Sequence, residues 1–317
     1  MEPDIGERSV PNFAPTPYKI STITATGSLN TSLALDSLFR NIPVLAEDDN
    51  KTVNGIIYVE FGKKKSDTIH RGRPKKLSVT RRAEGKKRFD NQVTIVYRSL
   101  NGTPKPARIN AKIFKNGNIQ MTGLRFIEQG TQVIDYIVNI IRTIHSDIDD
   151  NIVENFDDLR NTDYRVRLIN CDFRIGFEIK REKLHKVMLA GYRIPCTYEP
   201  CIYPGVKVQY WWNDDHFIKN GCCDCSAKCN GKGCGSGNGA CKKITIAIFQ
   251  SGCIIITGGQ SLEQIDEAYE FICNFIDTHK VMVQKIVAPL PDITPCSKKK
   301  ILIKKCDVRT CMPGITS

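Results

Sequence analysis

An internal duplication constrains this chain more than any other feature of its sequence. Residues 111–123 read AKIFKNGNIQMTG, and residues 246–258 read IAIFQSGCIIITG. The same register, 135 positions apart, continues without a gap to Asn139 and Asn274. Because an offset that is constant over about thirty residues indicates a repeated structural unit, we expect two halves related by a pseudo-two-fold axis within one domain.

Each copy predicts a hairpin followed by a helix. In the first copy an alternating strand reaches Asn116-Gly117, a strong hairpin signal, and a second strand ends at Gly123. Apolar residues then recur with the period of an amphipathic helix. The second copy repeats this pattern with Ser251-Gly252 at the turn. The predicted fold class is therefore α+β, with one helix on each half of an antiparallel sheet.

One face of this sheet is expected to be free of helices. Strand alternation directs six side chains to that face: Phe114, Gln120, Thr122, Phe249, Ile255 and Thr257. Taken singly, such aromatic residues are more often part of a core. The matched phenylalanines and threonines of the two copies instead favour an exposed binding face.

These residues resemble a known family. The pattern I-F-x-[S/N]-G-x-I-x-x-T-G, present twice and followed each time by an amphipathic helix, is similar to the TATA-box-binding protein (TBP) family. Residues 198–205, YEPCIYPG, resemble that family's YEPELFPG. The resemblance extends over residues 18–286. The cysteines and basic insertions look most like divergent family members of large DNA viruses of protists.

The resemblance implies a fold and a function. The fold would be a duplicated saddle, a curved antiparallel sheet with helices on its convex face. The function would be that of a non-enzymatic transcription initiation factor that binds and bends promoter DNA through the minor groove. The implied partners are double-stranded DNA, transcription factor IIB-like general factors and RNA polymerase, in a nucleus or a viral cytoplasmic factory.

The family inserts aromatic wedges between base steps, and the resemblance assigns this role to Phe114, Tyr203 and Phe249. Two frames compete for the fourth wedge. One frame places Val53 at this position, and the other, which we prefer, places Phe89 there.

The resemblance also identifies groove-lining residues. Thr122 and Thr257 match threonines of the family's DNA-binding surface, where Gln120 replaces a valine and Ile255 keeps an apolar group. In the central strands a gapless frame places Thr22 and Leu168 where the family has paired asparagines. The remaining candidates on these strands are Thr24 and Asn170. The loss of the asparagine pair predicts weaker TATA specificity.

The sequence suggests seven segments. They are a tail (1–17), a first repeat (18–146) with a basic insertion (63–88), an acidic linker (147–162), a second repeat (163–286) with a cysteine-rich insertion (213–243), and a basic tail (287–317). No run of eighteen apolar residues or secretory leader is apparent, so a membrane partner is not expected.

Most of the net charge of +12 lies in residues 63–88, which hold twelve lysines and arginines against two acidic residues. Within this insertion, HRGRPKK resembles an AT-hook. Its Arg71 and Arg73 are candidate contacts in a narrow A·T minor groove, where negative potential attracts guanidinium groups. A generic basic loop or a nuclear localisation signal is the alternative.

Fourteen cysteines without a leader indicate a reducing compartment, where thiols and metal ligands are commoner than disulfides. Six of them lie in residues 213–243. We predict a zinc site there with Cys225, Cys229, Cys234 and Cys241 as ligands. Cys222, Cys223 or His216 could substitute for one of these, and a thiol-rich loop without metal is the alternative.

Two other functional classes compete with a promoter-binding factor. DNA glycosylases contain similar halves, but no helix-hairpin-helix with a catalytic aspartate or lysine is evident. An architectural protein that bends DNA with little sequence preference competes better. The basic insertion and the missing asparagine pair both favour it.

Overall fold

An eleven-stranded antiparallel sheet is the framework of the fold. The computed structural model describes residues 13–45, 53–62, 69–72, 91–102, 105–147 and 151–285. The strands of the first half are β1 (Lys19–Ser28), β2 (Gly55–Phe61), β3 (Ile69–Gly72), β4 (Gln92–Ser99), β5 (Ala107–Phe114) and β6 (Asn118–Leu124). Those of the second half are β7 (Thr162–Arg174), β8 (Cys196–Thr197), β9 (Val206–Trp212), β10 (Lys242–Ile248) and β11 (Cys253–Gly259).

The strand order shows the duplication directly. It runs β3-β2-β4-β5-β6-β1-β7-β11-β10-β9-β8. Without the edge strand β3, this order is symmetric about the β1–β7 pair. It matches β2 with β8, β4 with β9, β5 with β10, and β6 with β11. The bounds of β5 and β6 recur 135 residues later in β10 and β11, with only the end of β10 differing by one residue, as the sequence repeat predicted.

A glycine is required at the hairpin turn of each half. Gly117 and Gly252 have φ angles of 80° and 74°, in the left-handed region that favours glycine. A Cβ atom there would lie 2.2 Å from the carbonyl oxygen of Thr31 or of Phe177, respectively. The two turns therefore pack in the same way against the chain that leaves β1 or β7.

The start of the long helix is also duplicated. The helices are α1 (Leu35–Asn41), α2 (Glu128–Asp147), α3 (Arg181–Lys186), α4 (Leu262–Thr278) and α5 (Lys280–Val283), with a π-helical turn at Val187–Gly191. At α2 the buried Gln129 side chain accepts a hydrogen bond from the backbone N–H of Arg125 at 2.8 Å. Gln264 does the same for Gln260 at α4, also at 2.8 Å. Each glutamine satisfies a backbone donor just before its helix.

The hydrophobic core lies on one face of the sheet. Alternate strand residues such as Ile23, Ile109 and Ile254 are fully buried beside the inward residues of α2 and α4. Between them, residues such as Thr122 on β6 and Asp172 on β7 are exposed. The predicted α+β architecture, a duplicated antiparallel sheet with one open face, is confirmed. No helix in the described part of the chain is long and apolar enough to cross a membrane.

Candidate nucleic-acid interface and metal centre

The centre of the open face is formed by β1, β7 and their neighbours. Thr22 lies opposite Asn170, and Thr24 lies opposite Leu168. On the strands that flank this central pair, Thr24 pairs with Thr122 of β6, and Asn170 pairs with Thr257 of β11. The symmetric strand order therefore matches Thr24 with Asn170. The sequence predicted these open-face residues individually, and the strands bring them together around the pseudo-two-fold axis.

Two hydrogen bonds orient polar groups at this centre. The Thr257 hydroxyl donates to Oδ1 of Asn170. This contact orients the Asn170 amide, whose nitrogen is a donor. The Thr22 hydroxyl accepts from the backbone N–H of Gly123 at 3.1 Å.

Three predicted wedge residues lie at the ends of the hairpins. Phe114 ends β5, and Phe249 follows β10 at the matching position. The Phe249 ring lies 5.7 Å from the Tyr203 ring, and Nζ of Lys207 lies 4.0 Å from the centre of the Tyr203 ring. In the described part of the chain, none of these aromatic rings belongs to the hydrophobic core or packs against it. Their position differs from that expected of core residues.

The strand order distinguishes between Val53 and Phe89, the two candidates for the fourth wedge. Tyr203 precedes β9, whose counterpart is β4, because β4 pairs with β5 as β9 pairs with β10. Val53 precedes β2, whose counterpart is the edge strand β8. Val53 therefore does not occupy the position that matches Tyr203. Phe89 precedes β4 and lies outside the described residues.

A depression of about 750 Å³ lies on the open face of the first half, lined in part by Phe114, Gln120 and Arg165. Nε of Arg167 donates to the Thr26 hydroxyl at 2.8 Å. Neither arginine was among the site residues predicted from the sequence. The alternation of residues 163–167, DYRVR, was the signal that could have identified them.

The Arg71 side chain contacts the end of α1. Its guanidinium donates to the carbonyl oxygens of Phe39 and Ile42 at the end of α1 and lies 5.4 Å from the Phe39 ring. Burial lowers the pKa of Arg71. This geometry does not support the predicted minor-groove contact, because the helix-terminal carbonyls already engage the side chain. Arg73 lies outside the described residues.

Four cysteines of the insertion between β9 and β10 form a cluster that could hold a metal ion: Cys223, Cys225, Cys229 and Cys241. All four Sγ atoms lie within 4.8 Å of one another. Sγ of Cys241 is 3.5 Å from that of Cys223 and 3.4 Å from that of Cys225. Tetrahedral zinc with bonds of about 2.3 Å would separate its sulfurs by about 3.8 Å, so the cluster fits such an ion.

One ligand of the predicted set is replaced. Cys234 is exposed, and its thiol donates to the carbonyl oxygen of Ser236 at 3.5 Å. Its neighbours Gly233 and Gly235 pair through their N–H groups with the carbonyls of Cys241 and Ala240. The Cys234 thiol is not part of the cluster, and Cys223 takes its place.

Polar groups surround the four thiols. Nε2 of His216 lies 3.6 Å from Sγ of Cys225, and this contact lowers the pKa of Cys225. Burial raises the pKa of Cys241, whose sulfur also lies 3.6 Å from Nδ2 of Asn213. A bound cation would favour the thiolate of Cys241 that burial disfavours.

The cysteine module, residues 213–241, is distant from the wedges. It joins the sheet where Trp212 pairs with Lys242. Tyr203 and Phe249 lie beyond the other end of this strand pair, where Val206 pairs with Ile248. At about 3.4 Å per residue, the two ends are about 20 Å apart. The module therefore does not touch the wedge pair.

Comparisons with known proteins find similarity to TBP proteins. Residues 163–279 match the sequence family described as "Transcription factor TFIID (or TATA-binding protein, TBP)". The chain is 30% identical over 280 residues to a "TATA-box-binding protein-like" protein of Acanthamoeba polyphaga mimivirus. That alignment covers 83% of this chain and 64% of the relative. The solved structure of Methanococcus jannaschii TBP aligns with 83% of this chain and 99% of its own, at 15% identity and a TM-score of 0.42.

Proposed function

We propose that this chain, a divergent TBP-like protein, binds promoter DNA through the minor groove with its open face and acts in transcription initiation. The observation that carries the proposal is the duplicated pattern on this face. Phe114 and Phe249 occupy matching hairpin ends, and Thr122 and Thr257 occupy matching strand positions. The sequence relationship also agrees with the prediction that the chain is not an enzyme.

The polar centre suits A·T base pairs. In the minor groove these pairs present only acceptors, on adenine N3 and thymine O2. The Asn170 amide nitrogen and the hydroxyls of Thr24 and Thr122 can donate to such acceptors. Leu168 supplies apolar contact beside them.

The aromatic pair at the end of the second half suits a kinked duplex. Tyr203 and Phe249 are half-buried, lie outside the core and contact each other. Inserting such side chains unstacks a base step, which costs a few kcal/mol and is offset by contacts that bent DNA makes with the protein. Lys207 beside Tyr203 places a cation where phosphates pass. Phe114 would act at the other end.

We propose the partners that the resemblance implies, a transcription factor IIB-like protein and RNA polymerase. The alternative function is architectural bending with little sequence preference. It is favoured by the mixed centre, where Thr22 and Leu168 stand in place of a symmetric asparagine pair.

Competition binding at fixed salt tests the proposal. A labelled TATA-containing duplex is challenged with unlabelled TATA and scrambled duplexes, while fluorescence transfer between the duplex ends reports bending. We expect the TATA competitor to be more effective and the bound duplex to be bent. Equal competition with bending would favour the architectural function, and binding without bending would refute insertion.

We further propose that the cysteine module binds one Zn²⁺ through Cys223, Cys225, Cys229 and Cys241. Four thiolates suit zinc, and the module is rich in glycine, so a metal would supply order that burial does not. Elemental analysis of protein purified without chelator should find about one zinc per chain. Absence of zinc from folded protein would refute this assignment.

A further inference from the structure

We infer that Asp172 makes the second half of the open face prefer a guanine in the part of the DNA site that it covers. The inference rests on the proposed minor-groove binding. It begins with two matched rows of side chains, one in each half, that cross the open face.

Each row consists of four residues that lie opposite one another on neighbouring strands. In the first half the row is Lys112, Gln120, Thr26 and Arg165. In the second half it is Ala247, Ile255, Asp172 and Lys19. The symmetric strand order matches Gln120 with Ile255 and Thr26 with Asp172. Position by position, the two rows therefore face equivalent parts of the groove with different chemistry.

The first row is built to donate hydrogen bonds. Lysine and arginine only donate, while the Gln120 amide and the Thr26 hydroxyl can donate or accept. An A·T minor groove presents only acceptors. Each member of this row therefore has a possible partner on A·T pairs, and Gln120 could also accept from a guanine.

The second row offers few donors to the acceptors of an A·T minor groove. Ala247 and Ile255 neither donate nor accept, and an ionised Asp172 only accepts. Over A·T pairs the carboxylate would face further acceptors. The guanine amino group on N2 is the donor that a G·C pair adds to the minor groove. A guanine under Asp172 would therefore turn an unfavourable contact into a charge-assisted hydrogen bond.

The Asp172 carboxylate is available for this contact. Asp172 is exposed on the open face. Among the described residues, no ion pair or side-chain hydrogen bond engages its carboxylate. Lys19 lies opposite it across β1 and β7. An ion pair between two exposed residues is weak, so Lys19 would not prevent Asp172 from accepting a bond from a base.

Inosine provides the direct test, because an I·C pair lacks only the N2 amino group of a G·C pair. A bendable A·T duplex is prepared with one pair replaced at each position in turn, first by G·C and then by I·C. We expect a position under the second half at which guanine binds about tenfold tighter than inosine, as for one hydrogen bond to a charged group. Asp172→Thr, which installs the residue of the matched position, should remove this difference and leave the parent A·T duplex bound.

The matched control is Asp277→Asn on α4, which neutralises an exposed carboxylate away from the open face and should leave the guanine preference unchanged. Equal binding of guanine and inosine at every position by the unmodified chain would overturn the inference. Persistence of the preference in Asp172→Thr would also overturn it. Failure to bind or bend the parent A·T duplex would instead refute the proposed function, so the two failures are distinguishable.

Discussion

Replacing Phe249 by alanine should separate DNA bending from folding. The centre of the Phe249 ring lies 5.7 Å from the centre of the Tyr203 ring, and Phe249 lies outside the core. An aromatic pair contributes about 0.5–1.5 kcal/mol beyond its buried area, so we expect Phe249→Ala to lower the free energy of unfolding by about 1 kcal/mol. For a domain of this size such a loss lowers the melting temperature by about 2–4 °C.

The effect on DNA binding should be larger. Stacking of an aromatic side chain on a base contributes about 1–3 kcal/mol by alanine substitution. Since 1.4 kcal/mol corresponds to a tenfold change in affinity, Phe249→Ala should weaken binding by about 5- to 150-fold. The bend should be reduced as well, because one wedge pair would keep only Tyr203. Anisotropy titration measures the affinity, and fluorescence transfer between the duplex ends measures the bend.

A core phenylalanine supplies the structural control. Phe275 on α4 is 8% exposed and stacks on His279 with ring centres 4.4 Å apart. Phe275→Ala should lower the free energy of unfolding by about 3–5 kcal/mol. If Phe249→Ala destabilises the fold as much as Phe275→Ala, Phe249 is a core residue. If it bends DNA like the unmodified chain, the wedge assignment is wrong.

Three further predictions concern other parts of the chain. Deleting residues 63–88 should reduce the slope of log affinity against log salt by about 0.9 for each phosphate that the shortened chain no longer neutralises, and an unchanged slope would show that the insertion does not touch DNA. Cys223→Ser should lower bound zinc measured by elemental analysis while Cys234→Ser should not, and the reverse result would restore the ligand set expected from spacing. Gln129→Leu and Gln264→Leu should each lower the free energy of unfolding by about 1–3 kcal/mol in denaturant titrations, because each leaves a backbone N–H without its acceptor; a negligible change in both would contradict this role.

Features that depend on short sequence segments could be predicted. The turn glycines Gly117 and Gly252 were found from dipeptides, since a hairpin turn requires φ angles that glycine adopts readily. The open face followed from strand alternation, which has a period of two wherever one face is buried. The duplication made both inferences stronger, because each had to hold twice.

Features that depend on contacts between distant segments were not predictable in the same way. The spacing of the cysteines did not show that Cys223, and not Cys234, joins Cys225, Cys229 and Cys241 in the cluster. The AT-hook resemblance did not show that Arg71 enters the edge strand β3 and binds carbonyls at the end of α1. In both cases contacts between distant segments, which the local pattern does not encode, decide which groups come together.

The duplicated frame and the residues on it carry different information about function. Strand order, turn glycines and helix-start glutamines repeat almost without change, so the frame can present two equivalent ends to DNA. The side chains on the open face do not repeat in the same way, since Thr26 occupies the position that Asp172 occupies in the other half. A symmetric frame alone would allow the chain to lie on a duplex in either direction. These unmatched positions are therefore where a preferred direction on DNA can arise.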